Sequence, residues 1–285
     1  MCTYIVQCII IRTYKLLHVG GLLSMEYSEI KESDFVKSLE KGLLVITAFS
    51  NEHTKLSISG TAKLTGLSRP AARRILLTLS HLGYLKQSEQ NTFSLTPKIL
   101  SLGYAYLQSN IWSSLTPFLE NLSERLHEST SVSILDGDEI VYVARVAVKK
   151  IMNVSINVGS RLPASATSMG QVMLAYSREE VVNDYLNRVK LMPFTERTLV
   201  SSESLLTRLN KISEKGYNLV DQELEIGLTS IAVPIFNSRR EIFAALNVSL
   251  RSSLMNQNDL DLHETYIAPL QETALMMTNQ IKYFQ

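Results

Sequence analysis

The chain has 285 residues, of which 28 are basic and 27 acidic, so its formal net charge is +1. This length suffices for two domains, and a content of 45% apolar and 19% charged residues is typical of soluble globular proteins. Such a chain is no general polycation, so any nucleic-acid contact must come from a concentrated basic patch. Only two cysteines occur, at positions 2 and 8, which excludes a disulfide framework or a cysteine-based zinc site and fits a reducing, cytoplasmic setting.

The first residues differ in pattern from the rest of the chain. The apolar run over 5–11 is too short to span a bilayer, and basic residues follow it rather than precede it, unlike in a signal peptide. Met25 then begins a polar, acidic segment that resembles a natural N-terminus. We expect residues 1–33 to be a leader outside the fold, with 1–24 upstream of the true start codon; a disordered or membrane-grazing tail is the alternative.

A helical domain is predicted for the N-terminal part. Apolar spacing and turn residues predict three helices and a hairpin in the position of a wing, over residues 35–49, 58–65, 69–82 and 84–95. Ser57 and Ser68 are the expected N-caps of the second and third helices, and Gly66 makes the turn between them. Pro70 falls in the first turn of the third helix, where its missing N–H costs nothing.

A local charge imbalance coincides with this pair of helices. Between His53 and Ser88 the sequence has no acidic residue and six basic ones: Lys55, Lys63, Arg69, Arg73, Arg74 and Lys86. On the third helix the apolar residues share one face and the arginines lie opposite or beside it, as contact with DNA phosphates and guanine edges requires. A helical hairpin whose arginines only solvate a surface is the alternative. We predict DNA binding by Ser57, Ser68, Arg69, Pro70, Arg73, Arg74 and Thr78.

The following segments predict a linker and a second domain. Thr96-Pro97 starts a helix whose apolar stripe suits a partner helix, so we expect a linker or dimerisation helix over 97–113. This places a winged helix-turn-helix domain at 34–96 and the second domain at 114–285. The element order α-β-β-β-α-α-α-β-β-β-α predicts an α+β fold with a mostly antiparallel sheet. Its clearest elements are a hairpin over 132–145, a strand over about 151–158, a helix from 168, and strands over 229–236 and 242–250.

Three polar stretches of the second domain are candidate parts of a ligand site. Residues 161–170 contain small and hydroxyl side chains that lead into a helix N-terminus, which can bind a small anion; an ordinary capped loop is the favoured alternative. Residues 221–230 form an acidic connection that either lines a pocket or is solvated. Asn247 and Ser249 interrupt an apolar strand, so they need buried partners if they point inwards and solvent if they point outwards.

Enzyme signals are weak. The five histidines lack metal-ligand spacing, and neither a phosphate-binding loop with its lysine nor a nucleophile elbow occurs. We therefore predict no catalytic residues, no metal and no cofactor. The rival functions are a small-molecule-binding enzyme with an accessory helical domain and a protein-interaction module.

Four segments together resemble the IclR family of bacterial transcription regulators: FVKSLEKGLLVITAF, LTGLSRPAARRILLTLSHLGYL, LPASATSMGQVMLA and DQELEIGLTSIAVPI. The resemblance covers about residues 34–281 and is greatest to the Pca- and Pob-type regulators of protocatechuate and 4-hydroxybenzoate degradation. It implies a winged helix-turn-helix domain, a linker helix and a GAF-like effector domain, in a homodimer or a dimer of dimers.

The resemblance also implies functional residues and partners. Ser165 and Gln171 stand where many relatives have histidine and lysine. The implied protein is a cytoplasmic transcriptional activator that binds double-stranded operator DNA, does not bind membranes, and responds to a small organic acid. Protocatechuate is the favoured effector, with 4-hydroxybenzoate or 3-oxoadipate as alternatives. The implied ligand-site positions are Arg145, Ile151, Val154, Thr167, Ser168, Met169, Leu228, Ser230, Asn247 and Ser249.

Overall fold

The computed structural model describes residues 31, 33–50, 52–107, 110–148, 156–252 and 259–282. Internal contacts divide these residues into two units, the first ending at 107 and the second beginning at 110. Residues 1–30 of the expected leader and the ligand-site candidates Ile151 and Val154 lie outside the described residues. The bounds expected for leader, linker and domains stay predictions.

In the described residues, the first unit combines four helices with a small antiparallel sheet in the order β1-β3-β2. Its elements are α1 (Lys37–Thr47), β1 (Leu56–Ser57), α2 (Ile58–Thr65), α3 (Arg69–His81), β2 (Leu85–Gln87), β3 (Thr92–Leu95), a 3-10 turn (Pro97–Ile99) and α4 (Leu100–Leu107). Side chains from α1, α3 and the strands form one core beneath α3: Val45, Leu76, Leu79, Leu85 and Phe93. The predicted winged helix-turn-helix is confirmed.

The turn between α2 and α3 has the expected chemistry. Ser57 Oγ accepts a hydrogen bond from the Gly60 amide at 3.1 Å and so caps α2. Gly66 adopts φ +69°, a left-handed conformation that suits glycine, and ends that helix. Ser68 Oγ accepts a hydrogen bond from the Ala71 amide at 3.4 Å and caps α3. Local sequence therefore fixes where the third helix begins.

The second unit has a sheet between two layers of helices. Its elements are α5 (Asn110–Leu126), β4 (Ser129–Asp136), β5 (Glu139–Val146), β6 (Arg161–Pro163), a 3-10 turn (Ala164–Ala166), α6 (Ser168–Ala175), α7 (Glu179–Arg188), α8 (Ser202–Lys215), β7 (Asn218–Asp221), β8 (Leu228–Phe236), β9 (Ile242–Arg251), α9 (Asp259–Leu262), a π-helical turn (His263–Ile267) and α10 (Ala268–Ile281). Within the described residues the strand order is β6-β5-β4-β9-β8-β7, and each pair is antiparallel. The predicted α+β class with an antiparallel sheet is confirmed.

The two faces of this sheet have different partners. One face packs against α5 and α10, and the other packs against α6, α7 and α8. Because helices cover both faces, β8 and β9 are apolar along most of their length rather than strictly alternating. A polar side chain on either strand is therefore an exception that needs a local reason.

One predicted strand is wrong in its described part. Residues 156–158 lie outside any strand, and the edge strand is instead β6, which pairs with β5. A turn separates the two: Gly159 adopts φ +87°, and its amide donates to the Tyr142 carbonyl at 2.7 Å. The Arg161 guanidinium then pairs with Glu139 at 2.7 Å and holds the edge strand. Apolar alternation in the sequence does not reveal where such a turn interrupts a strand.

Candidate functional site

The outer face of α3 is basic and open to solvent. Arg69, Arg73 and Arg74 are exposed, whereas Ala72 and Leu76 on the opposite face are fully buried. Within the described residues, none of the three guanidinium groups forms an ion pair. These side chains are therefore available to a polyanion outside the unit.

Three lysines of the same unit add to this charge. Lys55, Lys63 and Lys86 are exposed, and no acidic residue occurs between positions 53 and 88. We call these lysines and the arginines of α3 the basic surface. A surface of one sign attracts nucleic-acid phosphates over distances of about 8–10 Å at moderate salt. Positive charge is thus concentrated on the helix-turn-helix and its hairpin.

The remaining predicted DNA-binding residues are also exposed to solvent. Ser57 and Ser68 cap α2 and α3 as hydrogen-bond acceptors, so each hydroxyl can still donate a hydrogen bond to a phosphate near a positive helix N-terminus. Pro70 is exposed in the first turn of α3. Thr78 donates its hydroxyl proton to the Arg74 carbonyl at 2.8 Å, which leaves its methyl group for a base contact.

A cavity lies in the second unit between the sheet and the N-terminus of α6. The centre of a water-sized sphere can occupy about 30 Å³ of it, and it is partly open to solvent. Its lining combines apolar, hydroxyl and amide side chains, as small-molecule sites commonly do. The lining residues are Tyr142, Ile156, Leu162, Ala166, Thr167, Ser168, Met169, Val220, Leu224, Leu228, Ser230, Asn247 and Ser249.

Strand register explains why polar side chains collect at this cavity. Asn218, Ala232, Asn247, Ser131 and Arg145 are successive cross-strand partners from β7 to β5, so their side chains share one face of the sheet. The next row consists of Val220, Ser230, Ser249 and Ser129. Both rows carry polar groups on a face that elsewhere packs as an apolar core. The sheet itself therefore builds a polar wall.

Asn247 and Ser249 point inwards, since only 3% and 6% of their surfaces are exposed, and the solvent-facing alternative is excluded. Asn247 Nδ2 donates to Ser230 Oγ at 2.9 Å, and the hydroxyls of Ser230 and Ser168 are 2.7 Å apart. Asn247 Oδ1 is buried and has no hydrogen-bond partner within the described residues. An unpaired buried acceptor costs about 1–3 kcal/mol, so this oxygen needs a donor, which a ligand or a water molecule can supply.

Arg145 lies beside the cavity rather than on its surface. Its Nη1 donates to Ser131 Oγ at 2.8 Å, and its buried Nε has no hydrogen-bond partner within the described residues. Burial lowers the pKa of Arg145, an effect that Tyr142 opposes, yet an arginine keeps its proton in proteins. The lining residues themselves include no ionised carboxylate, lysine or arginine. Arg145 is therefore a cation next to an uncharged cavity.

Seven of the predicted ligand-site residues line the cavity: Thr167, Ser168, Met169, Leu228, Ser230, Asn247 and Ser249. Two of them already have internal roles. Thr167 Oγ1 accepts from the Gly170 amide at 3.3 Å and caps α6, and Met169 Sδ accepts from Ser133 Oγ at 3.2 Å. Ser168, Ser230 and Asn247 thus carry the polar chemistry.

The apolar wall of the cavity escaped prediction. It consists of Tyr142, Ile156, Leu162, Val220 and Leu224. Sequence patterns cannot separate such residues from an ordinary core, because both are apolar side chains on buried faces. Burial raises the pKa of the Tyr142 hydroxyl to about 12, although the Arg145 cation acts in the opposite direction. The tyrosine therefore stays neutral at physiological pH.

Other kinds of site find no support in the part of the chain that the structure covers. Its histidine, aspartate, glutamate and cysteine residues form no cluster of three or more that could hold a metal ion. Among the same residues, no helix combines the length and the apolar character needed to cross a membrane.

A winged helix-turn-helix with a basic outer helix, joined in one chain to an α+β unit with a small-molecule cavity, is the arrangement of a DNA-binding regulator. Two family models match in this order. The IclR helix-turn-helix domain matches residues 38–89, and the bacterial transcriptional regulator IclR C-terminal domain matches residues 104–279. The chain belongs to the IclR family of bacterial transcriptional regulators.

Known proteins similar to this chain agree with that assignment. The Pca regulon regulatory protein of Pseudomonas putida is 42% identical over 232 residues, which are 81% of this chain and 79% of that protein. The p-hydroxybenzoate hydroxylase transcriptional activator of Acinetobacter baylyi is 35% identical over 225 residues, 77% and 83% of the two chains. A solved transcriptional-regulator structure from Rhodococcus sp. RHA1 is 42% identical with a TM-score of 0.74, covering 87% and 98%. These relatives are regulators, not enzymes.

Proposed function

We propose that the protein activates genes of aromatic-acid degradation and is controlled by a small acid that binds in the cavity. The names of its Pca and p-hydroxybenzoate relatives support the pathway. In this proposal the protein acts in the cytoplasm on double-stranded operator DNA, as a homodimer or a dimer of dimers. A linker helix over 97–113 connects the DNA-binding domain to the effector-binding domain in this proposal.

The observation that carries the DNA part is the exposure of the arginine face of α3. Arg69, Arg73 and Arg74 are exposed to solvent, whereas the apolar face of the same helix is buried in the unit's own core. They contact phosphates or guanine edges, and the α3 N-terminus at Ser68 receives a phosphate. Ser57, Pro70 and Thr78 complete the contact surface.

The two walls of the cavity support an aromatic acid as effector, with protocatechuate favoured. A flat ring suits the apolar wall, while Asn247 Oδ1 can accept a hydrogen bond from a ring hydroxyl. In this scheme the carboxylate of the effector points towards Arg145 Nε and the N-terminus of α6. 4-Hydroxybenzoate fits the same scheme with one hydroxyl fewer. 3-Oxoadipate has two carboxylates and no ring, so it matches the apolar wall less well than an aromatic acid does.

The effector acts by population shift. Binding favours one of two pre-existing dimer arrangements, and the linker helix transmits the change to the spacing of the recognition helices. Such coupling is reciprocal, so the acid changes operator affinity by the same factor by which operator changes acid affinity.

The DNA part is tested with Arg73→Ala combined with Arg74→Ala. Each lost base or phosphate contact costs about 1–3 kcal/mol, so we expect operator affinity to fall about 100-fold and the salt dependence of binding to flatten by about two ions. Arg239→Ala with Arg240→Ala removes the same charge from the β8–β9 turn and serves as control. Equal operator affinities of the two double variants would rule out the assignment.

The effector part is tested by thermal denaturation with protocatechuate, 4-hydroxybenzoate, 3-oxoadipate and muconate. An acid present at 100 times its Kd stabilises the folded state by about 2.7 kcal/mol, a readily measured shift. We expect the largest shift for protocatechuate. Turnover of any of these acids would favour the enzyme alternative, and no shift with any of them would refute the proposed effector class.

A further inference from the structure

A buried carboxylate lies behind the cavity without lining it. Glu223 is 3% exposed and Gln171 is fully buried. Glu223 Oε2 accepts a hydrogen bond from Gln171 Nε2 at 2.8 Å, and its Oε1 accepts one from Arg208 Nη1 at 3.1 Å. The two oxygens are therefore occupied by donors from two different helices, α6 and α8.

Gln171 connects this carboxylate to the start of α6. Its Nε2 also donates to the Ser165 carbonyl at 2.7 Å, and its Oε1 accepts from Asn218 Nδ2 at 2.9 Å. Asn218 Nδ2 lies 3.3 Å from the Ser168 carbonyl as well. Each polar atom of the Gln171 amide is thus fixed by a neighbour, which leaves it no alternative orientation.

The connection between β7 and β8, residues 222–227, is held from the other side. The Glu223 carbonyl accepts from Thr198 Oγ1 at 2.6 Å, and the Gln222 carbonyl accepts from Thr195 Oγ1 at 2.6 Å. Gln222 adopts φ +60°, which a residue with a side chain keeps only when its surroundings enforce it. Hydrogen bonds from Thr195 and Thr198 therefore hold the backbone of this connection, and the bonds to the Glu223 carboxylate hold its buried side chain.

Glu223 joins the β7–β8 connection to the start of α6, and both segments form walls of the cavity. Leu224, the next residue after Glu223, lines the cavity, and so do Ser168 and Met169, which precede Gln171 by three and two residues. A shift of Glu223 away from Gln171 would move one wall relative to the other. The distance between the walls is set by these hydrogen bonds.

We infer that Glu223 is a positioning residue of the effector cavity, which fixes the β7–β8 connection against the start of α6 through Gln171 and Arg208. The inference rests on the proposed effector function. Glu223 does not touch the cavity and acts only through its partners. A buried ion pair is often no more stabilising than an apolar replacement, so its directional hydrogen bonds, rather than added stability, account for its presence. Burial raises the pKa of Glu223, which Arg208 and Gln171 oppose, so losing either partner weakens the ionised form.

The test compares Glu223→Gln with Glu225→Gln. The first variant keeps the shape but turns an amide NH2 group towards Arg208 or Gln171, so that one donor loses its acceptor. The control removes the same charge from the same connection, and its side chain makes no hydrogen bond within the described residues. Protocatechuate affinity and the operator affinity of the acid-free protein are measured for the full chain of each variant.

We expect Glu223→Gln to weaken protocatechuate binding about tenfold or more, which corresponds to about 1.4 kcal/mol, and to change operator affinity by less than about twofold. A merely structural role would lower both affinities together with the melting temperature. The control should match the wild type in both measurements. Protocatechuate affinity of Glu223→Gln equal to that of the wild type would overturn the inference.

Amide hydrogen exchange distinguishes a failure of the inference about Glu223 from a failure of the proposed effector function. If the wild type binds none of the acids, the proposed effector class is wrong, and exchange alone decides the role of Glu223. We expect faster exchange in Glu223→Gln over both 222–228 and 165–171, because the hydrogen bonds between them are lost. Unchanged exchange over 165–171 contradicts a positioning role, whatever ligand the cavity takes.

Discussion

Asn247 is the residue whose surroundings point most directly to a ligand. Register places it in the middle of the polar row, its side chain is 3% exposed at the cavity, and its Oδ1 lacks a partner within the described residues. Its Nδ2 is by contrast occupied by Ser230. The unsatisfied atom is thus the acceptor, and the group it suits is a hydroxyl.

Replacing Asn247 by leucine removes this acceptor at similar volume. We expect protocatechuate to bind about tenfold more weakly, since a hydrogen bond buried in a site is worth about 1–2 kcal/mol, while the melting temperature changes little. Calorimetric titration checks the affinity. Asn247→Asp should bind even more weakly, because it adds a negative charge near the carboxylate. Unchanged affinity in both variants would place the ligand hydroxyl elsewhere.

Tyr142 predicts a pH dependence of stability. Its folded-state pKa of about 12 lies above the ordinary value near 10, so the unfolded chain loses the phenol proton first. Its contribution is present below pH 10 and is lost as pH rises towards 12, by about 2.7 kcal/mol in total. Denaturant titrations at pH 9 and pH 11 should show a smaller loss in Tyr142→Phe than in the wild type. Tyr104→Phe, at an exposed position, should keep the full loss.

Helix α6 depends on a close approach of the backbone at its first turn. A Cβ atom added to Gly170 would overlap the carbonyl oxygen and Cα of Ala164, which belongs to the 3-10 turn before the helix. Backbone atoms cannot yield as the end of a flexible side chain can. The glycine therefore allows the turn 164–166 and the start of α6 to form one wall of the cavity.

We expect Gly170→Ala to lower the free energy of unfolding by about 1–3 kcal/mol and to weaken effector binding, because the turn must move away. The matched control is Gly103→Ala in α4, where an added Cβ meets nothing within 4 Å. It should stabilise the helix by up to about 1 kcal/mol. Denaturant unfolding of both variants decides the point, and equal stabilities would show that the approach at Ala164 relaxes freely.

At the scale of elements, local sequence patterns predict those features that depend only on residues close together in the chain. Caps at Ser57 and Ser68 and the glycine at 66 determine α2 and α3, and all three were predicted. Strand β1 was missed because two residues carry no periodicity, and its pairing with β3 joins residues far apart in sequence. The same limit applies to the cavity. Ser168 and Ser230 lie in polar stretches and Asn247 interrupts an apolar strand, so the sequence singles them out. The Gln171–Glu223 contact depends on tertiary packing alone.

For the whole molecule, we expect DNA binding by the first unit and acid binding by the second to be coupled in one thermodynamic cycle. The ligand-free and ligand-bound forms must differ in operator affinity, and the DNA-bound and DNA-free forms must differ in acid affinity by the same factor. Factors of about 5–150, or 1–3 kcal/mol, are typical of such coupling. An effector that bound both forms equally would have no regulatory effect, however tight its binding.

The most direct test is a calorimetric titration of protocatechuate into the protein with and without saturating operator DNA. The account predicts two different dissociation constants, whose ratio equals the ratio of operator dissociation constants measured with and without the acid. Identical acid affinity in the two titrations would contradict it, because the cavity and the basic surface would then act independently.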